Sequence, residues 1–142
     1  MKKLPARYPS NENITLLAIN LNRDDRQSLE RILDRDRWTV QGARSLREAT
    51  TLLRRHPSLI LCEKDLPDGN WKDVFREACG LDCPPPLVVV SRNADERLWA
   101  EVLNFGAYDV LLEPFEHSEV RRVMGMALRH GQHAPLYAAA AS

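Results

Sequence analysis

The segment LILCEKDLPDGNW, residues 59–71, decides the fold class. Its first part, 59–62, is a continuous apolar run, which is typical of a β-strand covered on both faces. Three charged residues follow at once, and 67–69 reads Pro-Asp-Gly, which predicts a turn. Such a buried strand is typical of the parallel sheet of an α/β protein, and this one ends in the carboxylate of Glu63.

Apolar strands and amphipathic helices alternate along the whole chain. Strands are predicted at 14–19, 38–43, 58–63, 86–91 and 108–113, and helices at 23–36, 45–56, 71–80, 93–106 and 117–131. Ser45 with Glu48, and Asn93 with Glu96, have the spacing of helix capping boxes. Five strands that alternate with five helices predict one parallel sheet with helices on both sides. The predicted domain spans 13–131, after a flexible extension at 1–12 and before a tail or linker start at 132–142.

Composition narrows the classes of function. The chain has 142 residues, and its 20 Lys and Arg residues balance 20 Asp and Glu residues. A neutral chain does not favour nucleic-acid binding. No apolar run is long enough to span a bilayer, and the first residues do not form a secretory signal. The odd number of cysteines favours a reduced, cytoplasmic protein.

Several polar residues follow directly after predicted strands. They are Asn20 to Asn22 after the first strand, Glu63 after the third, Ser91 after the fourth and Glu113 after the fifth. In an open parallel sheet these positions share one edge, near the point where the strand order reverses. We therefore expect a candidate site at this edge.

The motifs CEKDLPDG (62–69), VVVSRNADE (88–96), NFGAYDVLLEPF (104–115) and SEV (118–120) resemble the receiver domain of bacterial response regulators. The resemblance covers residues 14–130. It implies the CheY-like, flavodoxin-like fold: a three-layer (βα)5, doubly wound parallel sheet with strand order 2-1-3-4-5. It also implies a cis peptide bond between Glu113 and Pro114.

Compared with the family, most of the chemical positions are altered. The acidic pair that holds magnesium corresponds to Asn20 and Leu21, and the phosphoryl-accepting aspartate corresponds to Glu63. The conserved lysine position of the family holds Glu113. The Ser or Thr position is kept, as Ser91. The aromatic switch position holds Val110.

The resemblance therefore implies a degenerate receiver in two-component signal transduction, which is not an enzyme and works by binding a protein partner without phosphorylation. No cofactor, metal, nucleic acid or membrane is expected. Two alternatives stay open: an active phospho-acceptor with relocated acids, such as Asp24, Asp25 or Asp65, and a flavodoxin-like binder of a small ligand.

The expected docking surface is formed by the fourth helix, fifth strand and fifth helix, over residues 95–125. Its candidate contact residues, for a homodimer or another partner, are Trp99, Asp109, Arg121 and Arg122, together with the strand residues Val110 and Leu111. Elsewhere, Cys79, Cys83, His130 and His133 have no spacing typical of a zinc module. We therefore expect no zinc site.

Overall fold

The computed structural model of the chain describes residues 14–33, 37–93 and 95–141, with side chains up to residue 130. The predicted extension at 1–12 lies outside the described residues. Within the described part, no helix is long and apolar enough to cross a membrane.

Seven strands and five helices make up the described chain. The strands are β1 (Ile14–Ile19), β2 (Trp38–Ala43), β3 (Leu59–Glu63), β4 (Asp65–Leu66), β5 (Gly69–Asn70), β6 (Leu87–Ser91) and β7 (Asp109–Leu112). The helices are α1 (Arg23–Ile32), α2 (Leu46–Leu53), α3 (Trp71–Cys79), α4 (Glu96–Phe105) and α5 (His117–Ala141). The main sheet has the order β2-β1-β3-β6-β7, and its four strand pairs are parallel. This order confirms the predicted 2-1-3-4-5 pattern.

The core lies on both faces of the sheet, because successive strand residues point to opposite sides. Leu17, Ile60 and Val89 belong to the cluster that packs against α2, α3 and α4. Leu16 and Leu61 belong to the cluster that packs against α1 and α5. The continuously apolar strands are therefore covered on both sides, as predicted.

Several element boundaries differ from the predictions. Helix α1 ends at Ile32, and α4 begins after Asp95, whose carboxylate accepts a hydrogen bond from the N–H of Leu98 at 2.9 Å. The predicted cap, Asn93, instead donates its N–H to the Ser91 hydroxyl. Strands β4 and β5 form a small antiparallel hairpin around the turn at 67–68, which the sequence pattern indicated only as a turn.

Two backbone features lie on either side of β7, one before the strand and one after it. The peptide bond between Glu113 and Pro114 is cis, which confirms that prediction. Gly106 ends α4 with φ of 119°, a conformation that favours glycine, and an added Cβ would lie 2.8 Å from Phe75.

Helix α5 continues to Ala141, beyond the predicted end at 131, through a segment that closes with four alanines, the best helix-forming residue.

Candidate functional site

A polar cleft of about 390 Å³ lies at the carboxyl end of the main sheet. Four predicted site residues line it: Asn20, Glu63, Ser91 and Glu113. The side chains of five neighbours complete the lining: Asn22, Lys64, Asp65, Arg92 and Asn93. The structure therefore brings together the four residues predicted from the strand ends. Two further predicted site residues, Leu21 and Val110, do not line this cleft.

Leu21 and Val110 lie outside this cleft. Leu21 packs against the apolar cluster beneath α1 and α5. Val110 is buried inside β7.

Glu63 and Glu113 place two carboxyl groups in the same cleft. Glu113 is only 6% exposed, and its Oε2 atom is buried without a hydrogen-bond partner in the described part of the chain. Burial, and then the side chains of Glu63 and Asp25, raise the pKa of Glu113 to about 10. Burial also raises the pKa of Glu63, although Arg92 and hydrogen bonding to Glu113 act in the opposite direction.

Asp25 and Arg92 form an ion pair beside these two glutamates. Arg92 Nη2 lies 3.0 Å from Asp25 Oδ2, and the two residues are 67 positions apart in the chain. Asp25 is 4% exposed, whereas the Arg92 side chain is 54% exposed. Asp25 lies in the first turn of α1, where a negative charge interacts favourably with the helix dipole. Its burial and its partner were missed, because only the fold brings α1 next to the residue after Ser91.

The Asn20 side chain is occupied in holding a loop. Its Nδ2 donates to the carbonyl oxygen of Asp65 at 3.1 Å, which ties the end of β1 to the hairpin after β3. The same hairpin is held from the other side by Asp68, whose carboxylate accepts the N–H groups of Leu46 and Arg47 at the start of α2. These three hydrogen bonds hold the hairpin that follows Glu63.

The hydroxyl of Ser91, which we predicted to be the retained Ser or Thr of the family, forms hydrogen bonds within its own turn. Ser91 Oγ accepts the N–H of Asn93 and donates to the Asn93 carbonyl oxygen, both at 3.2 Å. Ser91 is itself buried. The hydroxyl therefore stabilises the turn between β6 and α4.

These residues do not fit a magnesium ion. Magnesium prefers several oxygen ligands in near-octahedral geometry, usually including carboxylates. Leu21 offers no oxygen, and the Asn20 amide is bonded to Asp65. Among the described residues, no group of three or more His, Cys, Asp or Glu side chains is placed to hold a metal ion.

The other candidate ligands and acids are dispersed. Cys79 and Cys83 are exposed free thiols at and beyond the end of α3, and the side chain of His133 lies outside the described residues. Asp65 is exposed in β4, and Asp24 is exposed in the first turn of α1. Of these relocated acids, Asp65 lines the cleft, and Asp25 lies close enough to raise the pKa values of Glu63 and Glu113 while Arg92 pairs with it.

The predicted docking residues divide between two surfaces. Arg122 lies near Asp109 on the side of α5 next to β7, and pairs with Glu119 of its own helix. Arg121 instead lines a groove between α1 and α5, with Ile32 and Trp38. Trp99 is half-buried against the core.

Two strand residues expected at the docking surface are buried. Val110 and Leu111 are 2% and 1% exposed, because both pack under the helices, so their side chains are not part of the exposed surface. The exposed large apolar side chains are instead Leu103 on α4, Leu112 at the end of β7 and Met126 on α5. We call these three residues, with Asp109 and Arg122, the α4–β7–α5 face.

Known proteins similar to this chain are response regulators and their receiver domains. The sequence profile of the response regulator receiver domain matches residues 17–124. The response regulator protein PilR of Pseudomonas aeruginosa is 29% identical over 114 residues, which cover 80% of this chain and 26% of PilR. The chain therefore spans about a quarter of that relative.

Two solved receiver domains share the fold. The receiver domain of an HD domain-containing protein from Pseudomonas fluorescens has a TM-score of 0.73 and 22% identity, covering 85% of this chain and 90% of that one. The receiver domain of the sensor histidine kinase PA1611 from Pseudomonas aeruginosa has a TM-score of 0.68 and 20% identity, covering 82% and 98%. That structure holds a magnesium ion in its active site cleft.

Proposed function

This chain belongs to the response regulator receiver domain family of two-component signalling, and we propose that it acts without phosphorylation of an aspartate. Receivers are signalling modules that work with kinases and output domains. The observation that carries the proposal is the buried carboxyl group of Glu113, which faces Glu63 where the family places a lysine.

The chemistry of phosphoryl transfer supports this proposal. Transfer to a carboxylate needs positive charge around the phosphoryl oxygens, which a metal ion and a lysine supply in the family. In this cleft, Glu113 adds an acid at the lysine position, and Asn20 is bonded to a backbone carbonyl. Glu63 is also one methylene longer than aspartate, so its oxygens are displaced for in-line attack.

Labelling by acetyl phosphate tests the proposal. We expect no labelling of the native chain and none of Glu63→Asp, because the metal pair and the lysine are also missing. Two unit charges about 4 Å apart interact by roughly 4 kcal/mol at an effective dielectric near 20. Reversing one charge and removing the metal should therefore slow the reaction by several powers of ten.

A matched variant separates the acceptor from its surroundings. Adding Asn20→Asp, Leu21→Asp and Glu113→Lys to Glu63→Asp should recover labelling in the presence of magnesium. Efficient labelling of the native chain or of Glu63→Asp alone would overturn the proposal and favour the alternative of an active phospho-acceptor. A folded quadruple variant that is never labelled would contradict our assignment of the four positions.

We further propose that the chain acts by binding protein through the α4–β7–α5 face. Leu103, Leu112 and Met126 are 51%, 48% and 41% exposed, which places three large apolar side chains at the surface of adjacent elements. Exposed apolar residues that lie together are typical of interaction sites. The half-buried Asp109 and the exposed Arg122 supply charges of both signs beside them.

Sedimentation of the purified chain, alone and with candidate partners of the same signalling system, measures this association. Leu112→Asp and Met126→Asp should abolish any complex formed, whereas Thr51→Asp, on the exposed side of α2, should leave it intact. If a complex persists in both Leu112→Asp and Met126→Asp, this surface is not the binding site. The proposal is also rejected if the native chain forms no complex, either with a second copy or with a candidate partner. The small-ligand alternative predicts instead a ligand that copurifies and binds the cleft of Glu63 and Glu113.

A further inference from the structure

The carboxyl group of Glu113 faces charged groups from every element around the cleft. Glu63 comes from β3, Asp25 from α1, Lys64 from the position after β3 and Asp65 from β4. Arg92 comes from the loop after β6, and it pairs with Asp25. None of the ion pairs among the described residues includes Glu113. The charge of Arg92 is therefore already paired with another carboxylate.

Two neighbouring carboxylates in such a site cannot both stay ionised. Burial disfavours a charged carboxyl group, and a second negative charge nearby disfavours it further. Water does not screen Glu113 well, because the residue is 6% exposed. Oε2 of Glu113 is buried without a hydrogen-bond partner in the described part of the chain, which is unfavourable for an ionised oxygen. One proton held between the two groups relieves both costs.

We propose that Glu63 and Glu113 share one proton at neutral pH, so that a carboxyl–carboxylate hydrogen bond joins the ends of β3 and β7. The proton resides on Glu113, and its O–H donates to the carboxylate of Glu63. Glu63 keeps the negative charge because its hydrogen bond with Glu113, and then the charge of Arg92, lower its pKa against the effect of burial, whereas burial, Glu63 and Asp25 all raise the pKa of Glu113. The proton thus reduces the negative charge of the cleft without a metal ion or a lysine.

The direction of the pKa shift agrees with this arrangement. Burial, with Glu63 and Asp25, raises the pKa of Glu113 from an ordinary value of 4.5 to about 10. A group with a raised pKa in the folded state contributes stability that is fully present below 4.5 and is lost progressively as the pH rises to about 10. Within this window, the contribution of Glu113 changes the unfolding equilibrium constant by up to about tenfold per pH unit.

The main test measures the free energy of unfolding by urea between pH 4 and pH 9. Four chains are compared: the native chain, Glu113→Gln, Glu63→Gln and the exposed control Glu77→Gln. Glutamine keeps the size of the side chain but cannot ionise. The ratio of the unfolding constants of native and Glu113→Gln chains should therefore rise at least a hundredfold from pH 5 to pH 9. Glu77→Gln should follow the native curve at every pH.

Glu63→Gln should move the same loss of stability to lower pH, because it removes a charge that raises the pKa of Glu113. Infrared spectroscopy gives a second measurement that needs no folded variant. The native chain at pH 7 should show the carbonyl band of a protonated carboxylic acid, and this band should disappear at high pH. Parallel urea curves for the native chain and Glu113→Gln, or a native infrared spectrum without this band, would overturn the proposal.

Discussion

Strands β3 and β7 differ between their middle and their carboxyl ends. Leu61 and Leu111 are 0% and 1% exposed and belong to the same apolar cluster. Glu63 and Glu113 follow Leu61 and Leu111 by two residues, and therefore lie on the same side of the sheet. The interior follows the pattern of any doubly wound sheet, whereas the carboxyl end carries the residues that we propose replace the family's acidic pair, phospho-acceptor and lysine. The packing of the core therefore depends on the repeated apolar pattern of the strands. The chemistry of the cleft depends on single residues at the strand ends, which can change without disturbing that pattern.

The largest effect on stability is expected in the interior. Leu61→Ala removes a fully buried side chain between β1, β6 and the helices, and such changes cost about 2–5 kcal/mol. The control Leu103→Ala removes the same atoms from an exposed site on α4 and should stay within about 0.5 kcal/mol. Urea unfolding measures both. Equal losses from the two variants would show that this strand is not the tightly packed core.

A smaller effect is expected at the carboxyl end, from the pair of Asp25 and Arg92. Arg92→Ala leaves the buried Asp25 carboxylate without its ion-pair partner, which should cost roughly 1–3 kcal/mol. Arg97→Ala, on the exposed surface of α4, is the matched control and should change little. Asp25→Asn combined with Arg92→Ala should recover part of the loss. A free energy of unfolding that is the same for Arg92→Ala and Arg97→Ala would contradict the role of this pair.

Most of the fold could be predicted from sequence, because it rests on repeated signals. Five apolar runs gave the five strands of the main sheet, and Gly106 and Pro114 marked the ends of α4 and β7. The cap of α4 was misplaced at Asn93, since Asp95 competes for the same role and Asn93 is bonded to Ser91. The hairpin of β4 and β5 is too short to leave a periodic pattern.

The site was only half predictable. Strand ends identified Asn20, Glu63, Ser91 and Glu113, because parallel strands bring their carboxyl ends to one edge. Asp25 and Arg92 left no such signal, since neither ends a strand and they are 67 residues apart. The separation of Arg121 from Arg122 also required the structure, because adjacent residues of a helix point about 100° apart.

Polar residues near the carboxyl end also stabilise helices, and α3 offers the clearest case. Asn70 accepts the N–H groups of Lys72 and Asp73, and the Asp73 carboxylate accepts the N–H of Asn70, which completes a capping box. Asn70→Ala should therefore cost about 1 kcal/mol. Asn104→Ala, on the exposed side of α4, is the matched control and should be neutral, because alanine favours the helix. Thermal unfolding that ranks the two variants the other way would show that the cap contributes nothing.

The smallest expected effect is that of magnesium, and it tests the carboxyl end most directly. An ion that binds only the folded state raises stability by RT ln(1 + [L]/Kd), about 1.4 kcal/mol when its concentration is ten times Kd. Because we assign Asn20 and Leu21 to the positions of the family's acidic pair, we expect no change in melting temperature at physiological magnesium. The variant with Asn20→Asp, Leu21→Asp and Glu63→Asp supplies three carboxylates in place of one and should gain a magnesium-dependent rise. A rise in the native chain would show that the cleft binds the ion through residues we have not identified. A rise in the variant alone would show that the fold still forms the ion's site once the acids return. The difference between interior and carboxyl end would then come from those few side chains and not from the backbone that carries them.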